Sequence, residues 1–163
     1  MGKSTEETIF ETAVRLVALL NARGLVCATA ESCTGGGVGS AITSVPGSSS
    51  VFAGGIVSYA NEVKRDVLGV PEAVLLEKGA VSAECAAAMA SGARKLLNTD
   101  VAVSITGIAG PDGGSAEKPV GLVWFGLASS DGVRTERAIF QGDRAQVRSA
   151  AVVHALGMLM CCG

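Results

Sequence analysis

The chain has 163 residues, enough for one domain with a buried core. Apolar residues make up 48% and charged residues 17%, which excludes a disordered chain, and a formal net charge of -2 argues against a broad basic face for nucleic acid. No apolar run reaches membrane-spanning length, and the start MGKSTEETIF lacks the basic-then-apolar layout of a secretion signal, so a cytoplasmic protein without a membrane partner is expected.

In chain order, Ile9, Ala13, Leu16, Val17 and Leu20 recur at helical spacing and predict an amphipathic helix over 5–20 that ends near Gly24. LVCATA (25–30) reads as a short buried strand running into ESCTGGG, and 36–45 as a glycine-rich helix stopped by Pro46-Gly47. FAGGIVSYA (52–60) predicts a second strand weakened by two glycines. Asn61 is expected to cap a helix through Lys64 and Leu68, and Ser82 to cap another reaching about Leu97. VAVSI (101–105) is a compact apolar strand, followed by the long polar loop TGIAGPDGGSAEKP. GLVWFGLA and VRTERAIF read as neighbouring strands joined at Ser130-Asp131-Gly132, and a final helix, capped by Asp143, covers 144–160. Early strand–helix alternation with a late hairpin predicts an α/β fold, three-layer α/β/α with a mixed sheet in a single domain; the strand order is not legible. Aromatics are only 4%, so the layers pack through Ala, Val, Leu and Ile.

Four places carry chemistry-bearing residues. Glu31-Ser32-Cys33-Thr34-Gly35-Gly36 lies where a strand gives way to a helix, a junction that exposes a side chain and turns backbone N–H groups toward one point. It is neither a GxxxxGK[ST] loop nor a GxSxG elbow, and Ser32 reads equally as nucleophile or helix cap. Cys33 competes as a nucleophile, but the only histidine, His154, sits in the final helix, which argues weakly against a Cys–His pair. Lys64 is by default a surface lysine; desolvated, it becomes a neutral base that removes a serine proton. Thr106 either relays a proton or closes a turn, and Asp112 fits the Pro-Asp-Gly turn better than a ligand. Lys118 and Arg144 are each readable as phosphate contacts or as solvated surface charge. The five cysteines are odd in number and match no zinc or redox spacing, which suggests free thiols in a reducing compartment.

AESCTGG, SYANEVK, GAVS, SITGIAGPDGGSAEKPVGLVWF and GDRAQVR occur here in that order. Together they resemble the CinA C-terminal domain family, whose characterised members are nicotinamide mononucleotide deamidases. The resemblance spans residues 5 to 160 and implies one such domain over 1–163, a stand-alone member without the molybdopterin-binding-like domain of the long form. It implies Ser32 as nucleophile, Lys64 as its base and Thr106, where some members carry serine, as the third polar group. It implies Thr34, Gly35, Gly36, Tyr59, Asn61, Gly107 and Arg144 as substrate contacts, no cofactor and no metal, and a homo-oligomer. The expected reaction is covalent hydrolysis of the nicotinamide carboxamide, with N–H groups near Gly35 or Gly107 holding the oxyanion. The alternatives are a related amide hydrolase with another substrate and a non-catalytic nucleotide-binding domain associated with competence.

Overall fold

The computed structural model describes residues 4–162. Its elements are α1 (Thr5–Arg23), β1 (Cys27–Glu31), α2 (Gly37–Thr43), β2 (Phe52–Val57), α3 (Asn61–Asp66), α4 (Glu72–Glu77), α5 (Ala83–Leu96), β3 (Val101–Gly107), β4 (Leu122–Ser129), β5 (Gly132–Ile139) and α6 (Arg144–Met160), with a 3-10 turn at Ser48–Ser50. The helix ends follow side-chain chemistry. Ser4 and Glu7 form a reciprocal capping box at the start of α1, and Gly24, at φ 64°, closes it. Asp143 and Gln146 form the same box on α6, and Ser82 Oγ accepts the Cys85 N–H at the start of α5.

The sheet order is β2-β1-β3-β4-β5, with β2, β1 and β3 parallel and β4 and β5 antiparallel. Helices α1, α2 and α6 cover one face and α5, backed by α4, covers the other, giving the expected three layers. Strand alternation sorts side chains by size. Val101, Val103, Ile105, Val123, Phe125 and Leu127 join the α1/α2/α6 core, while Ala28, Ala30 and Ala102 face α5. That second face is made of small residues, so α5 lies close to it. Ser104 Oγ donates to the Ala86 carbonyl at 2.6 Å, and a Cβ on Gly126 would collide with the same carbonyl.

Several local expectations shift. β1 starts at Cys27 and includes Glu31, which pairs with Val57 and Ile105, and β3 extends through Thr106 and Gly107. β2 stops at Val57 rather than Ala60, freeing Ser58–Ala60 to turn into α3. Asn61 does not cap α3: Ala60, in extended backbone (ψ 152°), is the cap residue, and Asn61 is already the first helical residue. α4 is an element beyond those expected from periodicity, one short turn-and-a-half helix entered from Pro71.

β1 is flanked by β2 on one side and β3 on the other. The chain therefore leaves β1 in one direction and returns in the other, which opens a crevice at the carboxyl ends of β1 and β3. Ser32 and Thr106 sit at those ends.

Candidate active site

Ser32 continues the ladder one rung beyond β1, donating its N–H to the Ile105 carbonyl at 2.9 Å. The chain then reverses. Gly35 donates its N–H back to the Ser32 carbonyl at 3.0 Å, and Gly35 and Gly36 take φ values of 60° and 97° that favour glycine. The buried carboxylate of Glu31 holds this reversal in place. One of its oxygens accepts from Thr34 Oγ1 (2.7 Å), Gly36 N–H (3.1 Å) and Val38 N–H (3.0 Å), and the other from Gly39 N–H (2.8 Å). The donors at the start of α2 are thus spent inside the protein.

Lys64 reaches the same point from α3. Ser58 N–H bonds the Glu31 carbonyl at 2.8 Å, keeping the segment after β2 beside β1. The carbonyls of Ser58 and Tyr59 then accept from Lys64 Nζ at 2.7 and 3.0 Å, and Ser32 Oγ lies 3.2 Å from that nitrogen. Lys64 is only 1% exposed, and desolvation lowers the pKa of its amine. Burial acts oppositely on the neighbouring thiols: Cys33 is pushed up to about 11 and Cys85 to about 11. Burial thus disfavours the Cys33 thiolate, the form in which a cysteine attacks.

Ser32, Lys64, Tyr59, Asn61, Thr106, Gly107 and Arg144 all border one cleft of about 230 Å³. Thr106 Oγ1 donates to the Ala80 carbonyl at 2.7 Å, so its proton is committed there. Arg144 bridges the mouth, donating to the Gly110 carbonyl (2.8 Å) and to Tyr59 Oη (3.2 Å). Tyr59 is 61% exposed. Backbone alternation also fixes Gly107. Ile105 accepts from Ser32 on the β1 side and Ile108 donates to Leu122 on the β4 side, so the Gly107 N–H faces β1, where that strand has already ended.

Thr34, Gly35 and Gly36 do not border this cleft. They shape the reversal, and the Gly35 N–H expected near an oxyanion is bonded to Ser32. Lys118 Nζ donates to the Lys78 carbonyl, and His154 stacks on Phe125 (centroids 4.3 Å apart) with Nε2 3.1 Å from Glu136 Oε2. Two residues were missed in the sequence. Glu31 is signalled by an acidic residue ending an otherwise apolar run. Arg148, which bonds the carbonyls of Cys33 and Thr34 at 3.1 Å each, lies one helical turn after Arg144. Among the described residues no group of three His, Cys, Asp or Glu is placed to hold a metal ion, and no helix is long and apolar enough to cross a membrane.

The model of the CinA C-terminal domain matches residues 10–162. The chain belongs to that family. It is 50% identical over 153 residues to a protein of Enterobacter agglomerans named nicotinamide-nucleotide amidohydrolase PncC, covering 93% of each chain. It is 54% identical over 133 residues to a CinA-like protein of Geotalea uraniireducens, of which it spans only 32%. Among solved structures, the competence/damage inducible protein of Agrobacterium tumefaciens superposes with a TM-score of 0.91 at 45% identity, covering 93% of each chain. A CinA superfamily protein of Klebsiella pneumoniae superposes at 0.90 with 35% identity, covering 97% of this chain and 96% of that one.

Proposed function

We propose that this chain hydrolyses the carboxamide of nicotinamide mononucleotide to nicotinate mononucleotide and ammonia, with Ser32 as nucleophile and Lys64 as general base. The observation that carries this reading is the buried Lys64 Nζ, 3.2 Å from Ser32 Oγ and bonded to two carbonyls. A protonated amine has three hydrogens for those three acceptors. A neutral amine keeps two for the carbonyls and turns its lone pair to the Ser32 O–H. The same cage therefore suits both states that a base must pass through, and desolvation favours the neutral one. The substrate comes from the Enterobacter agglomerans relative, whose name states a nicotinamide-nucleotide amidohydrolase.

In this mechanism Lys64 takes the Ser32 proton as Oγ attacks the carboxamide carbon. The Gly107 N–H, unspent in the ladder at the cleft, faces the oxygen that gains charge. The Lys64 ammonium then protonates the leaving nitrogen, ammonia departs, and water, deprotonated by the same amine, releases the acid from the acyl-enzyme. Thr106, its proton given to Ala80, borders the cleft with its oxygen left as an acceptor for a donor of the bound substrate. The cleft takes the ring, while ribose and phosphate run out past Asn61 to Tyr59 and Arg144, whose planar fork suits a phosphate. The pyridinium ring withdraws electrons from the amide, and the phosphate supplies binding energy remote from the reacting bond.

The test is to incubate the protein with the nucleotide and measure ammonia and nicotinate mononucleotide together, with Ser32→Ala as control. Equal accumulation of both products in the wild type alone is expected. Preference for free nicotinamide over the nucleotide would replace the substrate, and tight nucleotide binding without ammonia would replace catalysis with binding.

A further inference from the structure

Ser32 and Thr106 stand side by side at the end of the sheet. β1 pairs with β3 through Glu31 and Ile105, and the Ser32 N–H carries the ladder on to the Ile105 carbonyl, which sets Ser32 beside Thr106. Neighbouring strands run roughly 4.8 Å apart. Ala30 and Ala102 face α5, as does Ser104, whose hydroxyl bonds Ala86 of that helix. Ser32 and Thr106 follow Ala30 and Ser104 at the same parity, so both turn to the α5 side, and both border the cleft.

Thr106 is 1% exposed, and its hydroxyl hydrogen goes to the Ala80 carbonyl at 2.7 Å. A free hydroxyl rotates to meet either a donor or an acceptor. A hydroxyl whose hydrogen is held elsewhere offers only lone pairs. The wall beside the nucleophile therefore accepts N–H groups and repels other lone pairs, and turning the hydrogen inward would break the bond to Ala80.

We propose that Thr106 is a specificity-determining residue whose acceptor-only oxygen takes an N–H of the substrate carboxamide, so that the cleft selects amides over esters and over its own carboxylate product. This rests on the reading of Ser32 as nucleophile and of a carboxamide as substrate. With the carboxamide oxygen toward the Gly107 N–H, the nitrogen lies on the Thr106 side. An NH2 group brings hydrogens to that oxygen, whereas an ester or a carboxylate sets lone pairs against lone pairs. Departing ammonia still has a hydrogen for Thr106. The acid formed when water cleaves the acyl-enzyme has none, which favours its release.

The test measures kcat/KM, which reports formation of the acyl-enzyme, on nicotinamide mononucleotide and on the methyl ester of nicotinate mononucleotide. In Thr106→Val, similar in shape but without the oxygen, the amide-to-ester ratio should fall by roughly 10- to 100-fold, the range for a buried donor left without its acceptor. Thr106→Ser should restore the wild-type ratio. Inhibition by nicotinate mononucleotide should tighten in Thr106→Val and not in Thr106→Ser. A proton relay or a purely structural threonine would not move the ratio, because the leaving methoxide also needs a proton and a loosened wall slows both substrates alike. A ratio in Thr106→Val within about threefold of wild type overturns the proposal. If Thr106→Val does not fold, calorimetry on Ser32→Ala decides, at a pH where Lys64 is neutral. Nicotinamide mononucleotide should then bind about tenfold or more tighter than nicotinate mononucleotide, and equal binding overturns the proposal. A wild type that cleaves free nicotinamide and methyl nicotinate but neither nucleotide removes the nucleotide reading, and Thr106 is scored on the free pair. A wild type that cleaves no amide removes both.

Discussion

Replacing Glu31 by glutamine keeps shape and removes one acceptor. Glu31 is 1% exposed and accepts four hydrogen bonds, three on one oxygen and one on the other. The best placement of the amide sets its carbonyl among Thr34, Gly36 and Val38 and leaves its NH2 facing the Gly39 N–H, donor against donor. Hydrogen bonds to a charged acceptor are worth ~1.5–3 kcal/mol against ~1 kcal/mol for neutral ones, so weakening three costs ~2 kcal/mol. The unmet Gly39 donor adds a further ~1–3 kcal/mol. A loss of ~3–5 kcal/mol is a large share of a typical ~5–15 kcal/mol stability and corresponds to roughly 10 °C or more in melting temperature for a domain of this size. The assay is thermal and urea unfolding followed by circular dichroism, with Thr34→Val, which removes one of the four bonds, expected to cost about 1 kcal/mol. A Glu31→Gln protein melting within about 2 °C of wild type would refute the account of Glu31 as the clasp of this turn.

Burial lowers the Lys64 pKa, so kcat/KM should climb as pH rises through that lowered value and then level, while Lys64→Met should show little turnover at any pH. The same shift has a sign in stability. Between the lowered folded value and the 10.5 of a free lysine, the unfolded chain binds more protons, so wild type should gain stability relative to Lys64→Met as pH rises across that window; a pH-independent difference would contradict it. Cys33, held at about 11, should react slowly with iodoacetamide at pH 7.5 in the folded protein, and Cys33→Ala should keep turnover; rapid thiol alkylation with loss of activity would return Cys33 to the list of nucleophiles. Gly92→Ala removes a glycine from the interior of α5, which by itself favours the helix by ~0.5–1 kcal/mol. The new Cβ would collide with the Leu68 backbone carbonyl, however, and overpacking at ~1–3 kcal/mol wins, so the melting temperature should fall; a rise would show that the segment after α3 yields easily.

Much of this architecture is written in local pattern. The periodic apolar residues of α1, the Ser82 and Asp143 caps, the two-residue turn at Ser130-Asp131 and the buried run at Val101 depend on neighbours within a few positions, so single-sequence reasoning reaches them. The expectations that moved did so where long-range pairing overrides local preference. Glu31 reads as a loop residue until its pairing with Ile105 and Val57 draws it into β1, and Tyr59 and Ala60 read as strand until their backbone is needed around Lys64.

The sequence by itself determined the three-layer class and the family, because periodicity and the ordered motifs survive without coordinates. It also supplied Ser32, Lys64 and Thr106 as candidates. Only the tertiary structure decided that Lys64 is buried against Ser32, since that contact joins positions 32 residues apart and depends on β2 lying parallel to β1. It likewise decided the strand order, the commitment of Thr106 to Ala80, and the removal of Thr34, Gly35 and Gly36 from the cleft. The reason is the same in each case. A hydrogen bond's partner and a side chain's desolvation are properties of what packs against it, and in this protein those neighbours come from the far side of the chain: Arg148 is over a hundred positions from the turn it grips.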